Sequence, residues 1–333
     1  MKVNSDMLKL KKGDKIGIYS SSSPITATSP KRFLRAKKFL QNKGFEIVEG
    51  SLTGQSDGYR SGTIQERAAE LNAFIRDPEI KMIMSTIGGT NSNALLPYLD
   101  YEAFKADPKI MIGYSDVTAI LLAIYAKTGF PVYYGPALVP SFGEFSPFVD
   151  ETYHYFQQMV CEELLFPYAV PRPEYWTDEP INWENKIRDK ERRRNRWIGV
   201  HGGKAVGRLI GGNLNTIQGF WGSPYMPPIE PGDILLIEDS MKSADQVEKN
   251  FSLLAVNGVF DRIGGILLGK HELFDDAETG RKPLDILLEV LNGRSLPIIA
   301  DFDCCHTHPM LTLPIGARVE IDADRAAVTL LSD

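Results

Sequence analysis

An α/β fold, opening on a parallel sheet with helices on both faces, is what this 333-residue sequence predicts, and three observations carry it. Short apolar runs alternate with amphipathic stretches from Asp14 to Gly135, the pattern of strands joined by crossover helices. Beyond Phe166 the apolar runs come closer together with fewer helical stretches between them, which marks a second, β-richer α/β unit. Gly and Ser clusters close several of the early strands, where open α/β sheets hold their ligands.

The elements follow in chain order. Asp14–Ser20 reads as a first strand that runs into Ser20-Ser-Ser-Ser-Pro24. A helix begins near Pro30 with Phe33, Leu34, Ala36, Phe39 and Leu40 as its apolar stripe, and Gly44 stops it. Phe45–Val48 is the next strand. Thr63-Ile-Gln-Glu66 has the form of a capping box and starts a helix carrying Ala68, Ala69, Leu71 and Phe74. Ile80–Met84 is a strand that opens into Gly88-Gly89, followed by a short helix from Asn91 to Leu99. Ile110–Ile112 is a buried strand, Gly113–Asp116 a turn, and Val117–Ala126 a helix apolar almost all round, with Asp116 and Thr118 as candidate caps. Pro131–Gly135 is a further strand and Phe148–Cys161 a helix. Four prolines and the aromatics Tyr168, Tyr175, Trp176 and Trp183 then mark a linker with an irregular loop. The second half holds strands at Gly202–Asn215, Asp233–Glu238, Ile263–Gly269, Leu296–Ala300, Ala317–Ile321 and Ala327–Leu331, with a short helix beginning over Thr216–Phe220 and helices at Ala244–Asn257 and Leu284–Leu291.

Composition sets the outer limits. Hydrophobic content of 43% with 24% charged residues describes a globular chain with a full core. No run approaches the roughly 20 apolar residues of a membrane span. The charged N-terminus, Met1 to Lys12, lacks the apolar stretch of a signal peptide, so the expected compartment is the cytoplasm, away from the membrane. Three cysteines fit it, with Cys304 and Cys305 adjacent. A net charge of −6 argues against nucleic acid as the main partner. The local basic run Lys190–Arg196 reads as a charge-laced surface segment.

The chemistry-bearing residues cluster at strand ends. Ser115 lies between a buried strand and a helix N-terminus, where free N–H groups and the helix dipole favour a developing oxyanion. Gly113-x-Ser115 is half of the G-x-S-x-G elbow, since Val117 replaces the last glycine. Gly88-Gly89 reads either as a tight turn or as a second oxyanion donor. A serine nucleophile needs a base and an acid to orient it. Glu238 ends an apolar strand and is the best placed acid, while His306 and His308 sit just after the buried strand Leu296–Ala300, in a loop that ends at Pro309. A rival reading gathers Cys304, Cys305, His306 and His308 as a metal site, but adjacent cysteines cannot easily hold one ion and no second C-x-x-C exists. A cysteine nucleophile there lacks an activating neighbour. Ser20–Ser23 lacks the glycine fingerprints of a nucleotide loop.

Ile87–Asp100, Ile112-Gly-Tyr-Ser-Asp116, Gly211-Gly-Asn213-Leu214, Ile237-Glu-Asp-Ser240 and His306–Gly316 together resemble the LD-carboxypeptidase family of serine peptidases, over nearly the whole chain and in order. Within that family the sequence is most similar to the microcin C self-immunity branch. The resemblance implies a flavodoxin-like nucleophile domain over residues 1–165, a linker and aromatic/basic substrate loop over 166–200, and a C-terminal domain over 201–333 with a β-barrel-like sheet. It implies a triad of Ser115, Glu238 and His306, an oxyanion hole from the N–H groups of Gly89 and Asp116, no metal or other cofactor, and a homodimer. One departure is Cys305, where many members have glycine before the histidine. The branch points to cleavage of the amide between an aminoacyl or peptidyl group and a nucleotide-like moiety, with Trp183, then Trp176, to stack on the base and Asn213 as a further substrate-binding residue. Other branches remove terminal D-alanine from murein tetrapeptides. A ligand-binding module without turnover is the remaining alternative.

Overall fold

The computed structural model describes residues 8–304 and 306–332, so the N-terminal tip and Cys305 lie outside the described residues. The first half runs β1 (Lys15–Tyr19), α1 (Ile25–Thr28), α2 (Pro30–Asn42), β2 (Glu46–Glu49), α3 (Ile64–Arg76), β3 (Ile80–Ser85), α4 (Tyr101–Ala106), β4 (Ile110–Gly113), α5 (Thr118–Thr128), β5 (Val132–Tyr134) and α6 (Phe148–Val160). The remainder runs β6 (Tyr168–Ala169), β7 (Tyr175–Trp176), β8 (Arg193–Arg194), β9 (Ile198–Val200), β10 (Lys204–Asn213), α7 (Leu214–Gln218), β11 (Ile234–Glu238), α8 (Ala244–Val256), β12 (Gly265–Gly269), α9 (Pro283–Leu291), β13 (Ile298–Phe302), β14 (Leu313–Ile315), β15 (Arg318–Asp322) and β16 (Ala327–Leu330).

The first sheet has the order β14-β5-β4-β3-β1-β2, with β1 to β5 parallel. Its strands are apolar because both faces are covered: Ile16, Ile18, Met82, Ile83, Met84 and Ile110–Ile112 are all buried. The expected capping box is present, with Thr63 Oγ1 accepting from Glu66 N and Glu66 Oε2 accepting from Thr63 N. α5 is apolar all round because it packs on the sheet and also against the second domain at β10 and α7. Gly129, with φ 75°, ends it.

β14 joins this sheet from the far end of the chain, pairing antiparallel with β5. The sequence places Leu313–Ile315 in the second half, but its apolar side chains bury best on the open edge of the first sheet. The return has a consequence for function. The loop carrying His306 leads directly into β14, so it is pinned two strands away from β4, the strand that delivers Ser115.

The second sheet is mixed, in the order β6-β16-β15-β10-β11-β12-β13-β9. β10 changes partners along its length: Lys204–Arg208 pair antiparallel with β15 and Leu209–Asn213 pair parallel with β11. The sheet curls until its ends approach. A Cβ on Gly199 of β9 would sit 1.7 Å from Ala323 O, just past β15, so only glycine lets the barrel-like curl close. Among the described residues no helix is long and apolar enough to cross a membrane.

Candidate active site

The geometry begins at the end of β4. A Cβ on Gly113 would meet Ser85 Oγ and Val117 Cγ1, each at 2.7 Å, so the chain can turn sharply only with glycine here. Ser115 then adopts φ 61°, a left-handed conformation that costs a non-glycine residue about 1–2 kcal/mol. This places it at the N-terminus of a short 3-10 turn (Ser115–Val117) leading into α5. Gly88 packs against it: a Cβ there would lie 3.0 Å from Ser115 Cβ and 3.1 Å from Asp116 N. Among the described residues no acceptor is bonded to the N–H of Gly89 or of Asp116.

The Asp116 side chain does not cap its own helix. Its Oδ2 accepts from Asn91 N at 3.0 Å, Ser92 N at 2.9 Å and Ser92 Oγ at 2.7 Å, so it caps the 3-10 helix Ser92–Tyr98 on the neighbouring loop. The contact ties the Gly88-Gly89 loop to the Ser115 turn. Thr118 also reaches outward, its Oγ1 accepting from Asn213 N at 3.1 Å across the domain junction. The serine-rich loop after β1 buttresses the same region: Ser22 Oγ accepts from Thr90 N at 3.0 Å and donates to Asn91 Oδ1 at 3.0 Å.

Glu238 ends β11 and is 2% exposed. Its Oε2 meets His306 Nδ1 at 2.7 Å, while its Oε1 accepts from Tyr134 Oη at 2.5 Å and Asn213 Nδ2 at 3.0 Å. Burial pushes the Glu238 carboxyl up, but the His306 charge and the bonds from His306, Tyr134 and Asn213 outweigh it and hold it below the usual range. Burial pushes His306 down, and Glu238 more than offsets this, so the imidazole is raised above its ordinary value. The Tyr114 ring packs edge-on against it, centroids 4.9 Å apart. With Nδ1 engaged by the carboxylate, Nε2 is the nitrogen left for chemistry. Asn213 is placed beneath the acid. Its Nδ2 serves Glu238, and its Oδ1 caps α7 by accepting from Thr216 N at 2.9 Å.

The segment between β7 and β8 crosses from the second domain to the first. Thr177 and His308 exchange two backbone bonds of 2.8 and 2.9 Å, joining this loop to the histidine loop. Glu184 accepts from Lys31 N at 3.0 Å and Arg32 N at 3.3 Å, satisfying free donors at the start of α2. Arg32 lies over the Trp183 ring at 4.2 Å and pairs with buried Glu144 at 3.0 Å. Glu144 also meets Lys190 at 2.7 Å and lies 3.6 Å from His308, whose pKa burial pushes down to about 3 in spite of that carboxylate. Trp183 is left 40% exposed, with one face backed and the rest open. Trp176 is differently placed: Arg193 covers it at 4.9 Å and Lys270 at 5.4 Å. Arg192 and Arg194 both stack on Tyr175, at 4.2 and 4.8 Å, so the basic run is the complement of the aromatic strand.

Among the described residues no three His, Cys, Asp or Glu side chains form a group that could hold a metal ion. Of the rival metal set, Cys305 lies outside the described residues, Cys304 is buried, and the two imidazoles face Glu238 and Glu144. Tyr134 was not legible as a site residue. Its signal is a polar tip in a buried strand, and the neighbouring Tyr133 carries the same one.

Two family models match the chain: LD-carboxypeptidase N-terminal domain over residues 16–135 and LD-carboxypeptidase C-terminal domain over residues 206–321. A putative carboxypeptidase of Vibrio cholerae is 59% identical over 94% of this chain and 93% of its own. The microcin C7 self-immunity protein MccF of Escherichia coli is 55% identical over 96% of this chain and 93% of its own. A solved structure of microcin C7 self-immunity protein MccF in complex with aspartyl sulfamoyl adenosine superposes with a TM-score of 0.96 at 52% identity, covering 98% of this chain and 99% of that one.

Proposed function

The chain belongs to the LD-carboxypeptidase family of serine peptidases, and from that premise we propose that it cleaves the amide between an aminoacyl or peptidyl group and a nucleotide-like moiety. It is a serine carboxypeptidase-type hydrolase. In the proposed mechanism His306 Nε2 takes the proton of Ser115 Oγ, which attacks the scissile carbonyl. The N–H groups of Gly89 and Asp116 hold the oxyanion. His306 then protonates the leaving amine, and water releases the acyl group through the same steps in reverse. Glu238 keeps His306 in the tautomer with its proton on Nδ1 and stabilises the imidazolium. The reaction, so written, uses the chain's own residues.

The observation that carries the substrate class is the exposed, Arg32-backed ring of Trp183, on a loop clamped to both domains. A flat aromatic platform beside a hydrolytic centre suits a purine, and stacking of a base on such a ring is worth about 1–3 kcal/mol. The relative crystallised with aspartyl sulfamoyl adenosine binds a ligand of this kind. Self-immunity against aminoacyl-nucleotide antibiotics is the corresponding role. Cytoplasmic location and a homodimer complete the reading, to be checked by cell fractionation and light scattering.

The test is hydrolysis, followed by mass spectrometry, of an aminoacyl sulfamoyl adenosine and a murein tetrapeptide ending in D-alanine, with Ser115→Ala as the blank. Cleavage of the adenosine conjugate supports the reading. Cleavage of the tetrapeptide alone returns the chain to cell-wall turnover, and cleavage of neither makes it a binding module.

A further inference from the structure

We propose that Tyr134 is a positioning residue that sets the Ser115 turn and the Glu238–His306 pair as one unit across the two domains. The inference rests on the hydrolase reading above and adds a residue that the triad does not contain.

Tyr134 of β5 pairs with Gly113 on one side and with Leu313 of β14 on the other, so it stands level with the strand end that delivers Ser115. The side chain is fully buried and points toward the second domain, where Gly212 makes room for it. A Cβ on Gly212 would sit 2.9 Å from Tyr134 Cε2, and its φ of 146° is one that glycine adopts freely. The hydroxyl then touches both halves of the machinery. It accepts from Ser115 N at 3.1 Å and reaches Glu238 Oε1 at 2.5 Å.

Hydrogen counting fixes the directions. A phenol has one hydrogen to give, and the Ser115 N–H already donates to the oxygen, so that hydrogen goes to the carboxylate. Burial keeps the phenol protonated over the working pH range, with Glu238 adding to the effect. Two consequences follow. The left-handed Ser115 gains an acceptor for its amide, which holds the strained turn in place. Glu238 gains a short charge-assisted bond on the oxygen that does not face His306, which fixes the carboxylate plane and moderates its pull on the imidazole. One oxygen thus couples the angle of the nucleophile to the angle and basicity of the base.

The titratable groups that surround His306 are Glu238 and Asp239 at the end of β11, His271 and Glu272 after β12, Tyr114 after β4, and His308 on its own loop. Removing the Tyr134 hydroxyl changes only the first of these. The expected result for Tyr134→Phe is a kcat lower by about 10- to 100-fold, the factor represented by one charge-assisted hydrogen bond, with KM nearly unchanged. The acid limb of kcat/KM moves to higher pH, because the undamped carboxylate holds the His306 proton more tightly. A ring-fluorinated tyrosine placed at position 134 keeps the oxygen and strengthens the donor, so it moves the limb to lower pH and guards against loss of folding in the phenylalanine variant. The His306 pKa read by NMR gives the same ordering without substrate. Wild-type turnover that disappears in Ser115→Ala tests the hydrolase reading separately. Wild-type kcat in Tyr134→Phe, or a His306 pKa that is the same in all three proteins, overturns the proposal.

Discussion

Replacing Gly89 by alanine puts the proposed oxyanion donor under a defined load. The new Cβ would lie 2.1 Å from Ser22 Oγ, 2.6 Å from Ser22 Cβ and 2.8 Å from Ser23 Oγ. Carbon contacts settle at about 3.5–4.0 Å, so the loop or its buttress must move by roughly 1 Å. Gly89 also has φ 150°, a region that costs other residues about 1–3 kcal/mol. The neighbour cannot yield cheaply, because Ser22 Oγ is itself the acceptor for Thr90 N and the donor to Asn91. Misplacing one oxyanion donor lowers kcat by roughly 10²–10³-fold, and KM should change little because the group acts on the transition state. Steady-state kinetics on an aminoacyl sulfamoyl adenosine, paired with a thermal melt, gives both quantities. Ser22→Gly in the same chain opens the space and should recover part of the lost rate. A Gly89→Ala enzyme with wild-type kcat and the same melting temperature would refute the assignment of that N–H to the hole.

Two further outcomes follow from the loop and the pair. Trp183→Ala should raise KM for the adenosine substrate by about tenfold, within the range for a lost stacking contact, and leave its thermal melt nearly unchanged. Trp176→Ala should do the reverse, since Arg193 and Lys270 cover that ring, and a melt that does not move would contradict this. The pH dependence separates rate from stability. The His306 pKa is raised in the fold, so its stabilising charge is present below about 6.5 and is lost as pH rises through the folded value. The Glu238 pKa is lowered, so its contribution is present above about 4.3 and is lost as pH falls through the folded value. The proposed mechanism needs the neutral imidazole of His306. The acid limb of kcat/KM should therefore lie above about 6.5, higher than the pH window in which the pair contributes most to stability; an acid limb near 5 would contradict the raised histidine.

The sequence carried the early sheet well, because strands buried on both faces read as continuous apolar runs and Thr63-Ile-Gln-Glu66 announces its helix. Ser115, Glu238 and His306 were legible as polar residues at the ends of such runs. What could not be read was pairing over long separations. Nothing local in Leu313–Ile315 says that it leaves its own half to cover the β5 edge, although that return is what anchors the His306 loop to the sheet that carries β4. Asp116 looks like a cap for its own helix, and only the approach of the Gly88-Gly89 loop makes Asn91 and Ser92 the better donors. The basic run from Lys190 looked like a solvated face. Its alternating stack of Arg192 and Arg194 on Tyr175, with Arg193 on Trp176, depends on a hairpin closed over a long insertion. The bonds that Asn213 makes to Glu238 and to the start of α7 likewise depend on contacts between segments that no local pattern announces.

The most direct test of the central claim is covalent labelling of the wild-type protein with a fluorophosphonate, followed by peptide mapping. One adduct is expected, on the peptide containing Ser115, absent in Ser115→Ala and slowed in His306→Ala and Glu238→Ala, with labelling protected by an aminoacyl sulfamoyl adenosine. An adduct on another residue, or hydrolysis that proceeds at the wild-type rate in Ser115→Ala, would contradict it.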